Sequence, residues 1–307
     1  AIAFDSQEGM MVTDAHGVIL RVNRAFVEET GYSAEDVVGR KRTMLTSGRE
    51  DAALDDAMWE TVQRCGTWQG EVWERRKNGE VYPVWLTISA VKGQGGLVTH
   101  YVATHIDITQ RKAVEDQLHK LAFYDPLTQL PNRRLLLDRL GHVLAGSTRS
   151  RNQGAIMFID LDNFKALNDT QGHDVGDRLL AEVAQRLKSS VRQGDTVARL
   201  GGDEFVVMVQ DLAADSMVVA QVEAVAEKIL AALDCPYRLV FDAELGRRNA
   251  LNYHCTASIG ITLFGAHSTN VDELLKQADL AMYQAKDSGR NAIRFFDLEM
   301  QAAITSR

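Results

Sequence analysis

The alternation of apolar and polar positions divides the chain into a strand-rich first third and a second part in which strands and helices alternate. Met10 to Thr13 and Val18 to Val22 are predicted strands on either side of a short turn. Trp68 to Arg75 and Val81 to Val91 are two longer strands joined through an Asn-Gly pair, which is typical of tight hairpins. Leu97 to Ile108 completes the set. We therefore predict a small, mostly antiparallel domain with helices on one side.

From Gln110 the pattern changes to that of a helix. Val114, Leu118 and Leu121 are spaced four and then three residues apart, with charged residues between them. At most two heptads are present, which is short for a coiled coil. This segment, residues 110–124, is predicted to be a linker helix that either packs on its neighbour or forms the seam of a dimer.

The second part alternates strands with amphipathic helices. The predicted strands are Ala155 to Ile159, Thr196 to Leu200, Glu204 to Val209, Thr256 to Leu263 and Ala292 to Phe296. The predicted helices are Arg178 to Val191, Met217 to Leu233 and Val271 to Lys286. Such alternation implies a layered α/β domain with helices covering a central sheet. The fold class is therefore α+β for a first domain at 1–109 and α/β for a second at 125–297.

The composition is that of a globular protein with ordinary cores. Of 307 residues, 25% are charged and 45% hydrophobic, and no apolar run approaches the roughly 20 residues of a membrane helix. The cysteines Cys65, Cys235 and Cys255 are scattered, so we expect no disulfide framework and a cytoplasmic location. A net charge of -8 argues against nucleic-acid binding but allows a local basic pocket for one nucleotide.

Two glycines, Gly201 and Gly202, lie between two predicted strands, where they allow a tight hairpin with positive φ angles and close approach to a ligand. A plain hairpin explains the glycines alone. The acids Asp203 and Glu204 follow at once, however, and they enter a strand that is apolar on both faces. Carboxylates at the start of a buried strand need a partner.

A partner is expected at the end of the apolar run that leads into Asp160, Leu161 and Asp162. Alternating carboxylates at a strand end present hard oxygen ligands of the kind that Mg²⁺ prefers. If the two strands are neighbours, Asp160 faces Asp203, and a cation between them relieves their repulsion. Because Mg²⁺ binds through one or two carboxylates plus substrate phosphates, a nucleoside triphosphate is the expected co-ligand. The alternative is that these acids are capping or solvated surface groups.

Four separated motifs lie between Asp125 and Phe296. They are Asp125 with Leu127, Thr128, Leu130, Pro131, Asn132 and Arg133; Asp160 to Lys165 with Asn168 and Asp177; Gly201 to Phe205; and Lys286 with Gly289 and Arg290. Together these motifs resemble the GGDEF family of diguanylate cyclases. The resemblance implies a nucleotidyl-cyclase-like domain, a central sheet surrounded by helices. It also implies that the chain condenses two GTP into cyclic di-GMP and two pyrophosphates.

The resemblance further implies a role for each motif residue. Mg²⁺, or Mn²⁺ in its place, would be held by Asp160, the Leu161 carbonyl, Asp203 and Glu204. Asp203 and Glu204 form the catalytic pair, and Glu204 would alternatively deprotonate the attacking 3′ hydroxyl. Asn168 and Asp177 would bind guanine, although Asp177 also fits a helix N-cap. The remaining GTP contacts would come from Lys165, Gly201, Gly202, Lys286 and Arg290, of which the last two also fit solvated helix-end cations.

One GTP per domain cannot make the product, so the resemblance implies a homodimer through the linker helix and the first domain. A parallel helix pair would then set the distance between the two half-sites. Upstream of the signature, Arg192 and Asp195 match the family's inhibitory site for cyclic di-GMP. A helix C-terminus with Gly194 just beyond it is the alternative interpretation.

The first domain, from about Phe4 to Thr109, contains a second set of motif residues: Asp14, Gly17, Val22, Asn23, Ala25, Phe26, Gly31, Tyr32, Asp107, Ile108 and Thr109. Together these residues resemble the motifs of a PAS sensor domain. They do not identify the signal or its ligand. Flavin is one alternative, through Trp59, Trp68, Trp73 and Trp85, and haem a less favoured one, through His100 and His105. Ordinary core packing explains these side chains more simply.

The last residues, 298–307, resemble the connector that precedes a phosphodiesterase EAL domain in related proteins. Together with the absence of an initial methionine, this predicts a fragment of a longer chain, which could itself be membrane-anchored. A second function class follows, a GTP-binding module that regulates an absent EAL domain. A dimerising scaffold without nucleotide is a third. The intact acids Asp160, Asp203 and Glu204 favour the enzyme.

Overall fold

The computed structural model describes residues 6–48, 52–150, 153–212, 217–243, 247–265 and 270–297. The chain forms two units that divide between Gln117 and Leu118, inside the helix predicted as a linker. The connector predicted at 298–307 lies outside the described residues. In the part of the chain that is described, no helix is both long and apolar enough to cross a bilayer.

The first unit is built on an antiparallel five-stranded sheet, as its alternating pattern predicts. The strands are β1 (Gly9–Asp14), β2 (Ile19–Val22), β3 (Thr67–Arg75), β4 (Val81–Lys92) and β5 (Val98–Asp107), in the order β2-β1-β5-β4-β3. Between β2 and β3 lie α1 (Arg24–Thr30), α2 (Ala34–Val37), a 3₁₀ turn (Arg42–Leu45) and α3 (Ala52–Cys65). Gly17 and Gly79 take positive φ angles of 76° and 90° at the two predicted hairpin turns.

Several ionisable side chains are buried beside this sheet near the end of β5. His105 and Glu74 are 0% and 2% exposed, and Nδ1 of His105 lies 3.1 Å from Oε2 of Glu74. Oε1 of Glu29 and the Tyr82 hydroxyl are buried nearby without a hydrogen bond. Burial raises the pKa of Glu29 to about 7, although His105 opposes the shift. His105 thus contacts Glu74 in the core, as expected if this histidine has a structural role.

The stability of the first unit is expected to fall as the pH rises from about 4.5 to about 7. The folded unit keeps a proton on Glu29 that the unfolded chain, with an ordinary pKa of 4.5, has already released. Glu29→Gln removes this dependence, and we expect the variant to exceed the wild type by about 2 kcal/mol at pH 8. Urea unfolding followed by tryptophan fluorescence measures this unit, because Trp59, Trp68, Trp73 and Trp85 all belong to it. Equal pH slopes for the two proteins would contradict the assignment.

Helix α4 (Thr109–Phe123) follows β5 and begins where Asp107 accepts a hydrogen bond from the Thr109 backbone N–H at 2.8 Å. None of its residues is buried. Val114, Leu118 and Leu121 are 53%, 61% and 68% exposed. The predicted apolar face of the linker helix is therefore present and open to solvent in a single chain.

The second unit has a mixed five-stranded sheet covered by helices, as the alternation predicts. Its strands are β6 (Gln153–Leu161), β7 (Thr196–Gly201), β8 (Glu204–Leu212), β11 (Ala257–Phe264) and β12 (Ala292–Phe295), in the order β12-β11-β6-β8-β7. A separate hairpin joins β9 (Tyr237–Ala243) and β10 (Arg247–Tyr253). The helices are α5 (Arg133–Ser150), α6 (Phe164–Gln171), α7 (His173–Ser190), α8 (Val218–Asp234) and α9 (Val271–Asp287).

Side chains of the central strands alternate between two hydrophobic layers. Met157 and Phe205 belong to the layer formed with residues of α7 and α8. Ile156 and Val206 belong to the layer formed with residues of α5 and α9. Because β6 and β8 are apolar on both faces, each end of these strands is the place where a polar side chain can reach solvent or a ligand.

The structure differs from the sequence prediction in two ways. Helices α5 and α6 and the hairpin β9–β10 were not predicted. Helix α7 also begins at His173, before the predicted start at Arg178, because its first turn is polar and contains Gly176, so the amphipathic repeat becomes regular only later. Asp177 therefore lies inside α7, and the interpretation of Asp177 as an N-cap is wrong.

Candidate functional site

The glycine pair forms the hairpin turn between β7 and β8, as predicted. Gly201 pairs with Glu204 and has a φ of 151°, while Gly202 has a φ of 52°. No atom lies within 4 Å of a Cβ added to either glycine. The requirement for glycine here is therefore one of backbone conformation, not of space.

An arginine that the sequence analysis missed fixes this turn. Arg199 donates to the Gly202 carbonyl from Nε at 3.0 Å and from Nη2 at 2.8 Å. Its Nη1 pairs with both carboxylate oxygens of Asp125, at 3.0 and 3.1 Å. Asp125 is in turn held by the backbone and hydroxyl of Thr128 at 2.8 and 2.6 Å. The motif at the entry to the second unit thus supports the signature turn. A cation two residues before a glycine pair is the only sequence signal of this contact.

The strands that end in acids are neighbours, as the sequence analysis supposed. Strands β6 and β8 pair antiparallel with Asp160 opposite Glu204, and not opposite Asp203 as predicted, because Asp203 belongs to the turn before β8. The Leu161 backbone N–H donates to the Asp203 carbonyl at 3.4 Å. Asp160 is only 6% exposed. Burial, together with the nearby charges of Asp203 and Glu204, raises the pKa of Asp160 to about 6 against the opposing effect of Lys286. A cluster of carboxylates therefore lies at this end of the sheet.

The ammonium of Lys286 lies in this cluster, with Nζ 2.7 Å from Oδ1 of Asp160. Lys286 occupies the last turn of α9, which packs closely on β11. The close approach depends on Gly260, because a Cβ there would lie 2.0 Å from the Met282 backbone nitrogen. The glycine in β11 thus allows α9 to bring Lys286 to Asp160.

Glu204 lies opposite Asp160 at the same end of the paired strands and is half-buried. Burial raises the pKa of Glu204, and the charges of Asp279 and Asp203 add to the effect. Asp279, on α9, was not singled out in the sequence, and burial raises its pKa as well. The negative charges are therefore concentrated, and a positive ligand at this place is favoured.

Asp162 has a different role from the one that its spacing suggested. It is 3% exposed and accepts hydrogen bonds from the Thr256 hydroxyl at 2.7 Å, the Ser258 hydroxyl at 2.8 Å and the Asn291 backbone N–H at 3.1 Å. Its oxygens are occupied by the chain itself, so Asp162 does not present a hard ligand. It connects the end of β6 to β11 and to the loop after α9.

The Asp162 contacts are expected to make a measurable contribution to stability. Asp162→Ala leaves three donors without an acceptor, among them the buried Ser258 hydroxyl, and is expected to cost about 2 to 4 kcal/mol. Asp162→Asn can keep all three hydrogen bonds. Its amide oxygen accepts from the Thr256 hydroxyl and the Asn291 N–H, and the Ser258 hydroxyl can turn to accept from its NH₂ group. Urea unfolding followed by circular dichroism compares the variants. An asparagine variant as unstable as the alanine variant would contradict this account.

The residues predicted to bind guanine lie near one another on α6 and α7. Asp177 is exposed and lines a cavity of about 550 Å³ with Leu127 and Arg178. A Cβ on Gly176, the preceding residue, would lie 1.9 Å from Oδ1 of Asn168, and this oxygen is buried without a hydrogen bond. Asn168 thus packs against Gly176, the residue before Asp177, and its Oδ1 is an acceptor without a donor.

The other two residues predicted to contact phosphates, Lys165 and Arg290, are exposed. Lys165 lies in the first turn of α6, directly after β6 and its acids. Arg290 follows α9 in the left-handed conformation, with a φ of 64°. Arg290 therefore does not share a helical face with Lys286, although a spacing of four residues would place the two side chains on one face of a continuous helix.

Arg192 and Asp195 lie between α7 and β7 and contact each other. Asp195 accepts from the Arg192 backbone N–H at 3.2 Å and from its Nε at 3.3 Å. The Asp195 side chain is 3% exposed and that of Arg192 54%. Both residues line two cavities, of about 220 and 480 Å³. The alternative with Gly194 as a helix C-terminal glycine is wrong, because α7 ends at Ser190 and Gly194 has no positive φ.

The acid cluster suits a divalent cation whose remaining ligands come from the phosphates of a substrate. Among the described residues, no group of three or more His, Cys, Asp or Glu side chains is arranged as a metal site. The donor set that the paired strands supply is smaller and consists of the carboxylates of Asp160 and Glu204. Oδ1 of Asp160 is buried, with the Lys286 ammonium 2.7 Å away. One or two carboxylates are the usual protein contribution to Mg²⁺ bound with a nucleotide.

Comparison with protein families identifies both units. The model described as diguanylate cyclase, GGDEF domain, matches residues 122–292. A PAS domain model matches residues 7–110. In a solved structure, the isolated GGDEF domain of TpbB (YfiN) from Pseudomonas aeruginosa is 37% identical with a TM-score of 0.52, over 59% of this chain and 99% of that one.

Two curated relatives extend beyond this chain. The bifunctional diguanylate cyclase/cyclic di-GMP phosphodiesterase MucR of Pseudomonas aeruginosa is 38% identical over 222 residues, 72% of this chain and 30% of MucR. The cyclic di-GMP phosphodiesterase PdeR of Escherichia coli is 28% identical over 304 residues, 99% of this chain and 44% of PdeR. The chain thus spans less than half the length of either relative.

Proposed function

This chain belongs to the GGDEF family, with a PAS domain before the GGDEF domain, and from that premise we propose that it condenses two GTP into cyclic di-GMP. Two pyrophosphates leave in the reaction. The observation that carries the proposal is the pairing of Asp160 with Glu204 at the signature turn, with Lys286 2.7 Å from Asp160. Carboxylates and a cation at one strand end suit phosphoryl transfer, which needs charge neutralisation and alignment more than covalent catalysis.

The acids form the proposed catalytic centre. Asp160, Asp203, Glu204 and the Leu161 carbonyl would hold Mg²⁺, with Mn²⁺ as the alternative. When bound, the metal neutralises phosphate charge and helps to align the attacking and leaving oxygens. Glu204, with its raised pKa, is also suited to accept the proton of the attacking 3′ hydroxyl.

The remaining residues bind the substrate in this proposal. Asp177 accepts hydrogen bonds from N1 and N2 of guanine, and the free Oδ1 of Asn168 adds a second acceptor. Lys165, Lys286 and Arg290 contact the phosphates. Gly201 and Gly202 allow the backbone to approach them, since neither glycine has an atom in front of it. Adenine lacks the N1 and N2 donors, so the site selects GTP.

The product requires two such sites to face each other, because each domain supplies one GTP. The exposed apolar face of α4, formed by Val114, Leu118 and Leu121, supports pairing of two copies of the chain. The PAS domain would control the reaction through this helix, since α4 begins directly after β5.

Product inhibition is the second level of control that we propose, with cyclic di-GMP bound at Arg192 and Asp195. Arg192→Ala is expected to raise the half-inhibitory concentration of cyclic di-GMP at least about tenfold, because it removes charge-assisted hydrogen bonds to a guanine. Initial rates measured against added product give this value. Lys276→Ala, an exposed change on α9, serves as the control. Unchanged inhibition in Arg192→Ala would refute the site.

A second candidate function is regulatory. The relatives MucR and PdeR carry phosphodiesterase names and extend far beyond this chain, which supports a GTP-binding module that controls another domain. Incubation with GTP and Mg²⁺, followed by chromatography of the nucleotides, separates the two. Cyclic di-GMP supports the cyclase, and GTP binding without product supports the regulatory module.

A further inference from the structure

A cleft of about 290 Å³ opens in the first unit, between the β1–β2 turn, the 3₁₀ turn, α3 and β5. Lys41 and Arg42 line it from the 3₁₀ turn, Trp59 and Gln63 from α3, and Tyr101 from β5. Four separate segments of the chain therefore converge on one small volume. Clefts of this size at such junctions are suited to small ligands.

The cleft is held rigidly by its backbone. The Arg42 backbone N–H donates to the Gly17 carbonyl at 3.2 Å, and the Ile19 N–H donates to the Arg40 carbonyl at 2.8 Å. The segment with Lys41 and Arg42 is therefore fixed to the β1–β2 hairpin. Preformed geometry lowers the ordering cost of binding.

The floor of the cleft combines a buried cation with two aromatic rings. The Arg42 side chain is 8% exposed, and its guanidinium carbon lies 5.7 Å from the centre of the Trp59 ring. Trp59 and Tyr101 meet edge to face, with ring centres 5.0 Å apart. A flat apolar body can lie against these rings while its charge meets the guanidinium.

The polar groups around the cleft are mainly donors in need of acceptors. Asp55 takes one hydrogen bond from Arg42, at 3.2 Å, and no acid is among the residues that line the cleft. Within the described residues, the Lys41 ammonium, the Trp59 indole N–H and the Tyr101 hydroxyl make no hydrogen bond. His16 adds a further ring at the rim. An acceptor-rich anion complements such a surface better than a neutral or cationic molecule.

We propose that this cleft binds a small aromatic carboxylate, with the carboxylate on Arg42 and Lys41 and the ring against Trp59 and Tyr101. The planar fork of a guanidinium matches a carboxylate, and the two rings select a flat partner over an aliphatic one. Tyr101 lies on β5, whose last residue caps α4, so the ligand contacts the strand that leads into the linker helix. Binding of this ligand does not depend on the proposed cyclase function. Only an effect of the ligand on turnover rests on that function.

The test uses the whole chain, with 2-naphthoate as the probe and 2-naphthamide as its neutral isostere. Isothermal titration is expected to give saturable binding of one naphthoate per chain and at least tenfold weaker binding of the amide. Acetate, which has the charge but no ring, is expected not to saturate. Quenching of tryptophan fluorescence locates the ligand, since all the tryptophans lie in this unit.

Two charge reversals make the test specific. Lys41→Glu is expected to weaken naphthoate binding at least tenfold, whereas Lys92→Glu, an equally exposed lysine at the end of β4, is expected to leave it unchanged. Both lysines are at the surface, so neither change endangers folding. The proposal is overturned if naphthoate does not saturate, if the amide binds as well, or if the two variants behave alike. A chain that makes no cyclic di-GMP would leave this result intact and sink only the proposed function.

Discussion

Glu204→Gln is expected to lower the rate of cyclic di-GMP formation at least about 10³-fold, while GTP binding is largely retained. Glu204 faces Asp160 across paired strands, in a cluster where burial and neighbouring acids raise its pKa. The amide has nearly the same shape but neither holds a metal nor accepts the proton of the 3′ hydroxyl. The loss therefore falls on turnover, measured as product formed at saturating GTP.

Glu223→Gln is the matched control for this variant. Glu223 is an exposed acid on α8, and its replacement makes the same chemical change outside the acid cluster. We expect its rate to equal that of the wild type. A Glu204→Gln enzyme that kept a tenth of the wild-type rate would remove Glu204 from the catalytic centre.

Leu118→Asp is expected to abolish most of the turnover at concentrations where the wild type is a dimer. Leu118 is the middle residue of the exposed apolar face of α4, between Val114 and Leu121. A pair of helices would bury two like charges at this position, at a cost of several kcal/mol. The two half-sites would then separate, and each would hold a GTP without a partner. Sedimentation and activity per molecule across a dilution series measure the two effects together.

Lys120→Asp places an aspartate two residues after Leu118 on the same helix, at an exposed position away from the apolar face. It is expected to leave both the dimer and the rate unchanged. Activity per molecule that stayed constant in a demonstrably monomeric sample, of the wild type or of Leu118→Asp, would contradict a shared site.

The sequence was informative wherever residue type alone limits the structure. The pair Gly201 and Gly202 predicts a turn because other residues rarely adopt those φ angles. Apolar runs next to Asp160 and Glu204 predict adjacent strands with acids at one end, and β6 and β8 are paired in this way, although Asp160 lies opposite Glu204 and not opposite Asp203. The apolar spacing along residues 110–124 predicts a helix, which forms over Thr109–Phe123.

Contacts between distant segments were not visible in the sequence. Asp160 and Asp162 have the same spacing as a pair of metal ligands, yet Asp162 faces Thr256, Ser258 and Asn291, far away along the chain. Arg199 joins Gly202 to Asp125 in the same way. The sequence does not show why residue 260 is a glycine, because the reason is the close packing of α9 against it. Periodicity describes one element at a time, and these roles arise from packing between elements.

The ratio of products tests the central claim most directly. GTP and Mg²⁺ are incubated with the protein, and pyrophosphate and cyclic di-GMP are quantified in the same samples over time. Condensation of two GTP at a shared site predicts two pyrophosphates for each cyclic di-GMP, and a rate per molecule that falls on dilution. GTP that is bound and returned unchanged, with neither product formed, would contradict the claim.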